Sequence, residues 1–492
     1  MHRAYKYTIL TCFILLGLHL NLKGQYITGA TMGSYTGVNS GIVNPALMTN
    51  SRYYVDVNVF STGFFVHNNY AYLSRDEYRF TRFLLPGYEY PVHAKEHGQG
   101  ERPAYTLENV NRKNIHSNYR VMGPSVMVAV NDHAFGFHTG FRQVNTVKDL
   151  PYDMANYFYY SLDYKPQHGY EYEHRDPIKF ATLTWSEIGF SWAYMFHKYD
   201  RDRWSLGVSA KFLLGHAGAY VYMDNLTYFT PDDNNVYVRN MNGEAAYSLP
   251  IDYATNEMSG SMVKGYGMGF DLGVSYIHTE KGHSNIKYRR LCQQRYEEYK
   301  FKFGVSLMDL GWIRFNDEAE KYHYDNVSGS WEEVDTLKQY YDNLAFISED
   351  VNARFFEDPD DALVANKFSM YLPASLGLQL DYHWQKNWYV SSSVRLPISY
   401  AKGQVRSPAG FMVSPRLETQ VFELGMPFTL YDFRHPMLGA YFRFYNFTVG
   451  TDNLSGFLNL TNHYGFNVYF SFKISLIKNH CKRKLPRFCI DK

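Results

Sequence analysis

In residues 368–384 apolar and polar side chains alternate one by one. Phe368, Met370, Leu372, Ala374, Leu376, Leu378, Leu380, Tyr382 and Trp384 form one phase, and Ser369, Tyr371, Pro373, Ser375, Gly377, Gln379, Asp381 and His383 the other. A period of two places the phases on opposite faces of an extended strand, whereas a helix, with 3.6 residues per turn, would mix them. Alternation recurs at 188–196, 204–212, 266–276, 299–307 and 466–476. A strand crosses a bilayer in ~9–11 residues, while an average soluble strand has ~5–6, so the length of alternation predicts membrane-spanning strands. In lipid every backbone N–H and C=O must be paired within the protein, so such strands are expected to close into a barrel.

Turn lengths test this topology. Asn131-Asp132-His133, the segment 198–203 and Gln385-Lys386-Asn387 are short links between alternating runs. If the last strand runs inward, counting back puts all three on the periplasmic side, where bacterial barrels keep short turns. The long connections at 74–118, 143–183, 217–264 and 316–367 then fall outside, while 279–297 is an unexpectedly long periplasmic link. The expected fold class is all-β, a transmembrane antiparallel barrel of about 14 strands, of which about 12 are clear. The remaining two are sought near Tyr220–Phe229 and Asn235–Met241. Residues 61–63 (Ser-Thr-Gly) suggest a kink, a bulge or a turn after the first alternating run, and Pro373 and Pro397 suggest bulges or irregular pairing.

The N-terminus reads as a secretory signal over 1–24: Arg3 and Lys6, an apolar stretch from Thr8 to Leu20, and Gly24 before Gln25. A Gly-, Thr- and Ser-rich segment at 25–50 is expected to plug the lumen, with Asn44, Pro45 and Ala46 as its hinge into the wall. The barrel would occupy 51–477, and 478–492 would be a basic periplasmic tail, either a docking element or simply a solvated end. These features place the chain in a bacterial outer membrane.

Composition sharpens the picture only in places. The net charge of +1 offers no field for nucleic acid. The 46 Tyr and 35 Phe suit the aromatic girdles of a barrel, although an aromatic-rich soluble β-protein shares that bias. The mean hydropathy of −0.40 alone would suggest a soluble chain. Cys12 falls in the signal; Cys481 and Cys489 could pair, leaving Cys292.

Asn44-Pro45-Ala46 before the first strand is similar to the start of FadL-like barrels and of the PorV and PorQ proteins of Bacteroidetes. The string from Val305 to Trp312, with Asp309 and Gly311, and the string from Val449 to Leu454, with Gly450, Thr451, Asp452 and Asn453, resemble an uncharacterised Bacteroidetes family of outer-membrane barrels, a domain of unknown function. The resemblance spans roughly 25–477 and implies an outer-membrane location and a FadL-like fold, with no established activity. The chain departs from members that continue into an OmpA-like domain.

Lys211, Asp271, Lys300, Lys302, Asp381, Arg395 and Lys473 fall on the polar phase. An Arg or Lys facing lipid at the midplane costs ~2–4 kcal/mol, so these are expected to face the lumen. They either line a passage or pair and fill a closed barrel. Gly265, Gly267 and Gly269 alternate on a strand and read as a small-residue strip that admits a plug or a neighbouring side chain. His93-Ala94-Lys95-Glu96-His97 matches a zinc-protease pattern, but flanking Pro and Gly argue against the helix that chemistry needs. The acidic cluster at 349–361 reads as a solvated loop rather than a Ca²⁺ site, and Asp335-Thr336-Leu337 fits a short O-glycosylation pattern. No nucleophile elbow or paired Cys ligands occur, so no catalysis, metal or cofactor is expected.

Two functions suit this wall. One is passage of a small or hydrophobic ligand past the plug. The other is a scaffold barrel that partners a secretion, assembly or surface-attachment complex. Expected partners are outer-membrane lipid, a hydrophobic small molecule or such a complex.

Overall fold

The computed structural model describes residues 29–79, 93–94, 101–102, 104–282, 290–333 and 343–478. Fourteen antiparallel strands form a closed barrel. They are β1 (Tyr53–Asn68), β2 (Lys113–Met122 and Ser125–Val130), β3 (His133–Leu150), β4 (Ile178–Tyr199), β5 (Asp202–Phe229), β6 (Gly265–Thr279) and β7 (Tyr299–Phe315). There follow β8 (Phe368–Tyr371 and Ser375–Gln385), β9 (Trp388–Pro397), β10 (Gly410–Glu418), β11 (Phe422–Gly425 and Phe428–Tyr431), β12 (His435–Leu438 and Ala440–Phe444), β13 (Phe447–Thr451) and β14 (Gly465–Ile477). Each pairs with the next, and β14 returns to β1 with Phe64 opposite Val468, which removes every edge.

β6 displays the alternation in its simplest form. Gly265, Gly267, Gly269, Asp271 and Gly273 are buried, while Tyr266, Met268, Phe270, Leu272 and Val274 are exposed on the outer face. The outward apolar set forms the lipid-facing surface, and the polar or small set looks inward. No helix among the described residues is long and apolar enough to cross a membrane.

The short turns at 131–132, 200–201 and 386–387 share the end of the barrel where β1 starts and β14 ends. Asn131, Asp200 and Lys386 there adopt positive φ. The total of fourteen does not come from the two segments proposed for it. Tyr220–Phe229 is the far half of β5, and Val236–Ser248 pairs with it above the wall. Val236–Ser248 pairs in turn with Ala319–Trp331, and that strand with Leu363–Ala365. This outer sheet, with α1 (Tyr152–Tyr160) and α2 (Leu344–Phe355), occupies much of what reads as long loops. The strands of 410–451 are short and broken at Met426-Pro427 and at Gly439, so their alternation is weak in the sequence.

Residues 368–384 are not one uninterrupted strand. Between Tyr371 and Ser375 the strand breaks, and the phase slips by one residue. Phe368, Met370 and Leu372 are buried inside, whereas Leu380, Tyr382 and Trp384 face outward. Proline has no N–H to give to the ladder, so Pro373 is the natural place for the break. The connection 398–409 covers it. Tyr371 N donates to Gly403 O, Val405 N to Tyr371 O, and Gln404 Nε2 to Leu372 O at 3.1 Å.

Candidate functional site

Residues 29–50 lie inside the barrel as three 3₁₀ turns, Gly29–Thr31, Gly37–Ile42 and Pro45–Asn50. Strands from all round the ring hold them. Lys473 Nζ on β14 donates to Tyr35 O at 3.1 Å and Thr36 O at 2.7 Å. Val38 N donates to Asp56 on β1 at 2.8 Å, Ser34 N to Glu418 on β10 at 3.1 Å, and Lys302 Nζ on β7 to Met32 O at 3.2 Å. Thr49 Oγ1 donates to Ser205 Oγ on β5 at 3.0 Å.

Asn44 is the innermost fastening. Its Oδ1 accepts from Ala46 N at 2.9 Å and caps the turn that Pro45 opens, the position where a missing N–H costs nothing. Its Nδ2 donates to Val274 O, Val305 O and Gln379 Oε1 at 3.0–3.2 Å. Asn44, Pro45 and Ala46 therefore press flat on the wall, several residues before β1 begins. Glycines make room for them. A Cβ at Gly207 would collide with the Pro45–Ala46 peptide, and one at Gly273 with the Asn44 amide. Of the glycines on β6, it is Gly273 that meets the plug; Gly265 and Gly267 face the backbone of β7, and Gly269 faces Leu372.

The unexpectedly long link before β7 completes the closure. Gln294 Nε2 donates to Ala129 O at 2.8 Å, and Gln294 Oε1 accepts from Asn131 N at 3.0 Å. Tyr296 OH donates to Ser34 Oγ at 3.0 Å, Arg203 pairs with Glu297, and the Arg52 guanidinium lies 4.1 Å from the Tyr296 ring centroid. The link runs as a strap across the plug and the turn between β2 and β3. Cys292 in it is disulfide-bonded, to a partner outside the described residues.

Inward charges pair with each other. Arg142 on β3 and Lys211 on β5 both reach Asp309 on β7, at 2.8 and 2.7 Å. Lys211 also meets Asp271 at 2.8 Å, and Arg142 meets Glu187 at 3.4 Å. A second group joins Arg416 to Asp381 at 2.9 Å and to Glu418 at 3.0 Å, Lys302 to Asp381 at 3.0 Å, and Arg443 to Glu423 at 3.1 Å. Burial makes such pairing obligatory, because a lone buried ion costs several kcal/mol. Arg142, Glu187, Arg416, Glu418, Glu423 and Arg443 escaped the sequence reading, although each occupies an inward position of its strand.

Lys300 is a correction. A register shift between His278–Phe301 and Thr279–Tyr299 leaves it in a bulge. Its ammonium sits 4.8 Å from the ring of Tyr382, an outward residue, and donates to His383 O at 3.0 Å. It lies on the outer rim, away from the lumen.

The two family strings build particular local features. Asp309 takes φ +55° and its amide donates to Asp271 at 2.7 Å, so one residue turns the strand and aims a carboxylate inward. At Gly311 a Cβ would strike the backbone of β6, and at Gly450 the Tyr441 Cβ and the Tyr469 ring. Thr451 Oγ1 donates to Asn467 O at 2.7 Å, and Asn453 Oδ1 caps α3 (Leu454–Phe457).

Beside the plug lies a cavity of about 60 Å³. Val43 of the plug, Phe65, Met308, Phe411, Met412 and Met437 supply much of its apolar lining. Gln379, Arg395 and Asp452 contribute polar groups.

Other candidates go no further. His93 and Ala94 pair with Glu101 and Arg102 in two short strands rather than a helix, and Glu96 and His97 lie outside the described residues. So do the signal segment, Asp335-Thr336-Leu337, Cys481 and Cys489, and the tail beyond Lys478. Among the described residues no group of His, Cys, Asp and Glu could hold a metal ion.

Among solved structures the chain is similar to the toluene transporter TodX of P. putida, at 12% identity and TM-score 0.40, over 93% of this chain and 100% of that one. A Pseudomonas aeruginosa FadL homologue is similar at 10% identity and TM-score 0.26, over 92% and 97%. No curated protein matches the sequence. A family model matches residues 45–452, from Pro45 into the second motif, and the chain belongs to that family of unknown function, DUF5723.

Proposed function

We propose that this protein is an outer-membrane barrel that passes a small or hydrophobic ligand through a plugged lumen. The cavity between plug and wall carries this reading. Its lining is largely apolar, as small-molecule sites are. At about 60 Å³ it is well below the ~150 Å³ that accommodates benzene, so the described state is closed. Met308, Met412 and Met437 give it adaptable walls, since methionine has three rotatable bonds. The break at Leu372–Ala374, bridged by the connection 398–409 and by the bond from Leu372 N to Gly311 O, is where a lateral exit toward lipid would open.

The test is conductance in planar bilayers. Deleting residues 26–46 should open the lumen and raise the ion current several-fold. A current equal to that of the intact protein would count against a plug.

A scaffold role has one observation in its favour: the far half of β5 continues into an outer sheet with Val236–Ser248, Ala319–Trp331 and Leu363–Ala365. Mass spectrometry of protein solubilised natively from membranes separates the readings. A stoichiometric protein partner favours the scaffold; a solitary barrel carrying a lipid-like molecule favours passage.

A further inference from the structure

Asp452, one residue beyond β13, belongs to the lining of the cavity and is 7% exposed. Its backbone N–H donates to Asn467 Oδ1 at 2.7 Å. Its carboxylate is different: Oδ1 is buried and has no hydrogen-bond partner. Two neighbouring groups on β14 share that condition. Asn467 Nδ2 and Tyr469 OH are buried without partners, on residues 0% and 1% exposed. Buried polar groups are nearly always satisfied, so an unsatisfied one marks a place that something else fills. Here an acceptor at the edge of the cavity stands unsatisfied, with two unsatisfied donors on neighbouring residues behind it.

Among the described residues no lysine or arginine forms an ion pair with the Asp452 carboxylate. The buried carboxylates of Asp271, Asp309 and Asp381, in contrast, each hold a lysine or arginine. Asp452 is left out of both ion networks.

We infer that the cavity is a ligand site in which Asp452 accepts a hydrogen bond from the hydroxyl or amino group of an otherwise apolar molecule. This deepens the passage reading and rests on it. The methionines and Phe65 would cover the apolar body, and Asp452 would select for the donor. A pure hydrocarbon would leave the carboxylate unsatisfied, and that penalty is the origin of the discrimination. An amine would additionally pair with the ionised carboxylate.

The test uses the full-length barrel in nanodiscs with three probes of one shape: toluene, benzyl alcohol and benzylamine. Binding is measured by calorimetry, with heat-modifiable gel mobility as the folding check. The intact protein should bind both donor-bearing probes about tenfold or more tighter than toluene. Asp452→Leu should abolish that preference by tightening toluene binding and weakening that of the two donor-bearing probes. Asp452→Asn, which keeps the shape, serves if the leucine variant fails to assemble; it should lose the benzylamine preference and keep most of that for benzyl alcohol. Equal binding of all three probes, or a preference that survives both substitutions, overturns the role of Asp452 while leaving passage intact. Absence of binding by any probe, meaning that the polar groups hold water only, overturns the site and leaves the passage reading to the conductance test.

Discussion

Arg142 and Asp309 form a two-pronged pair, each carboxylate oxygen 2.8 Å from a guanidinium nitrogen, although their strands are separated by three others. The pair is a chord across the lumen. With Lys211 bound to the same carboxylate, it blocks the space that a row of unpaired charges would leave open. Arg142, Lys211 and Asp309 are thus paired with one another rather than left as free charges.

Removing the carboxylate takes a shared partner from two buried cations and leaves Arg142 with Glu187 alone and Lys211 with Asp271 alone. Asp309→Ala should cost about 3–5 kcal/mol, the usual penalty for breaking a buried pair. Asp309→Asn should be milder by about 1 kcal/mol, because Asn tolerates the positive φ that this position requires. Urea unfolding in detergent, followed by tryptophan fluorescence, measures both. Equal midpoints for the two variants would show that the backbone conformation carries no cost here.

Gly273→Val places two methyl groups and a Cβ where the Asn44 amide sits. The wall has no reason to change, since that position already faces inward. The plug should therefore undock, and single-channel current should rise toward that of the 26–46 deletion. Asn44→Ala should act the same way more weakly, because it removes hydrogen bonds without adding bulk. An unchanged current in Gly273→Val would mean that the plug re-seats around the valine.

Glu244, above the membrane, ties the connection over the wall break to the outer sheet. It pairs with Lys402 at 2.7 Å and Lys321 at 3.2 Å, and accepts from Tyr220 OH at 3.3 Å. Burial works against its ionisation, but hydrogen bonds from the two lysines outweigh this and hold the carboxyl below its usual range. A depressed carboxyl contributes stability above the unfolded value of ~4.3 and loses it as pH falls through the folded value. Amide exchange in 398–409, corrected for its intrinsic rate, should be slow from pH 7 to about 5 and accelerate below about 4. Glu244→Gln should exchange fast throughout. If the variant and the parent exchange alike at pH 7, the pair does not hold the connection.

Much of the wall is written in period-two alternation. β4, β5, β6, β7 and β14 are legible because one face meets lipid and the other meets a packed polar interior. That contrast fades wherever both faces meet water or protein. The outer halves of β3, β4 and β5 therefore read as loops, and two segments of the outer sheet read as spanning strands. The sequence also placed Lys211, Asp271, Lys302, Asp381 and Lys473 on the inward phase, because parity within a strand is a local property.

Parity across an irregularity is not local. At Pro373 and at Lys300 one extra residue inverts the phase, and only the pairing with the neighbouring strand reveals it. Phe368 thus turns inward and Lys300 outward. Which inward charge meets which, the seating of Asn44 on Gly273, the strap at 290–298 and the unsatisfied carboxylate of Asp452 depend on strands far apart in the chain meeting across the lumen. Alternation along one strand carries information about faces; distances across the barrel arise only when the fourteen strands close.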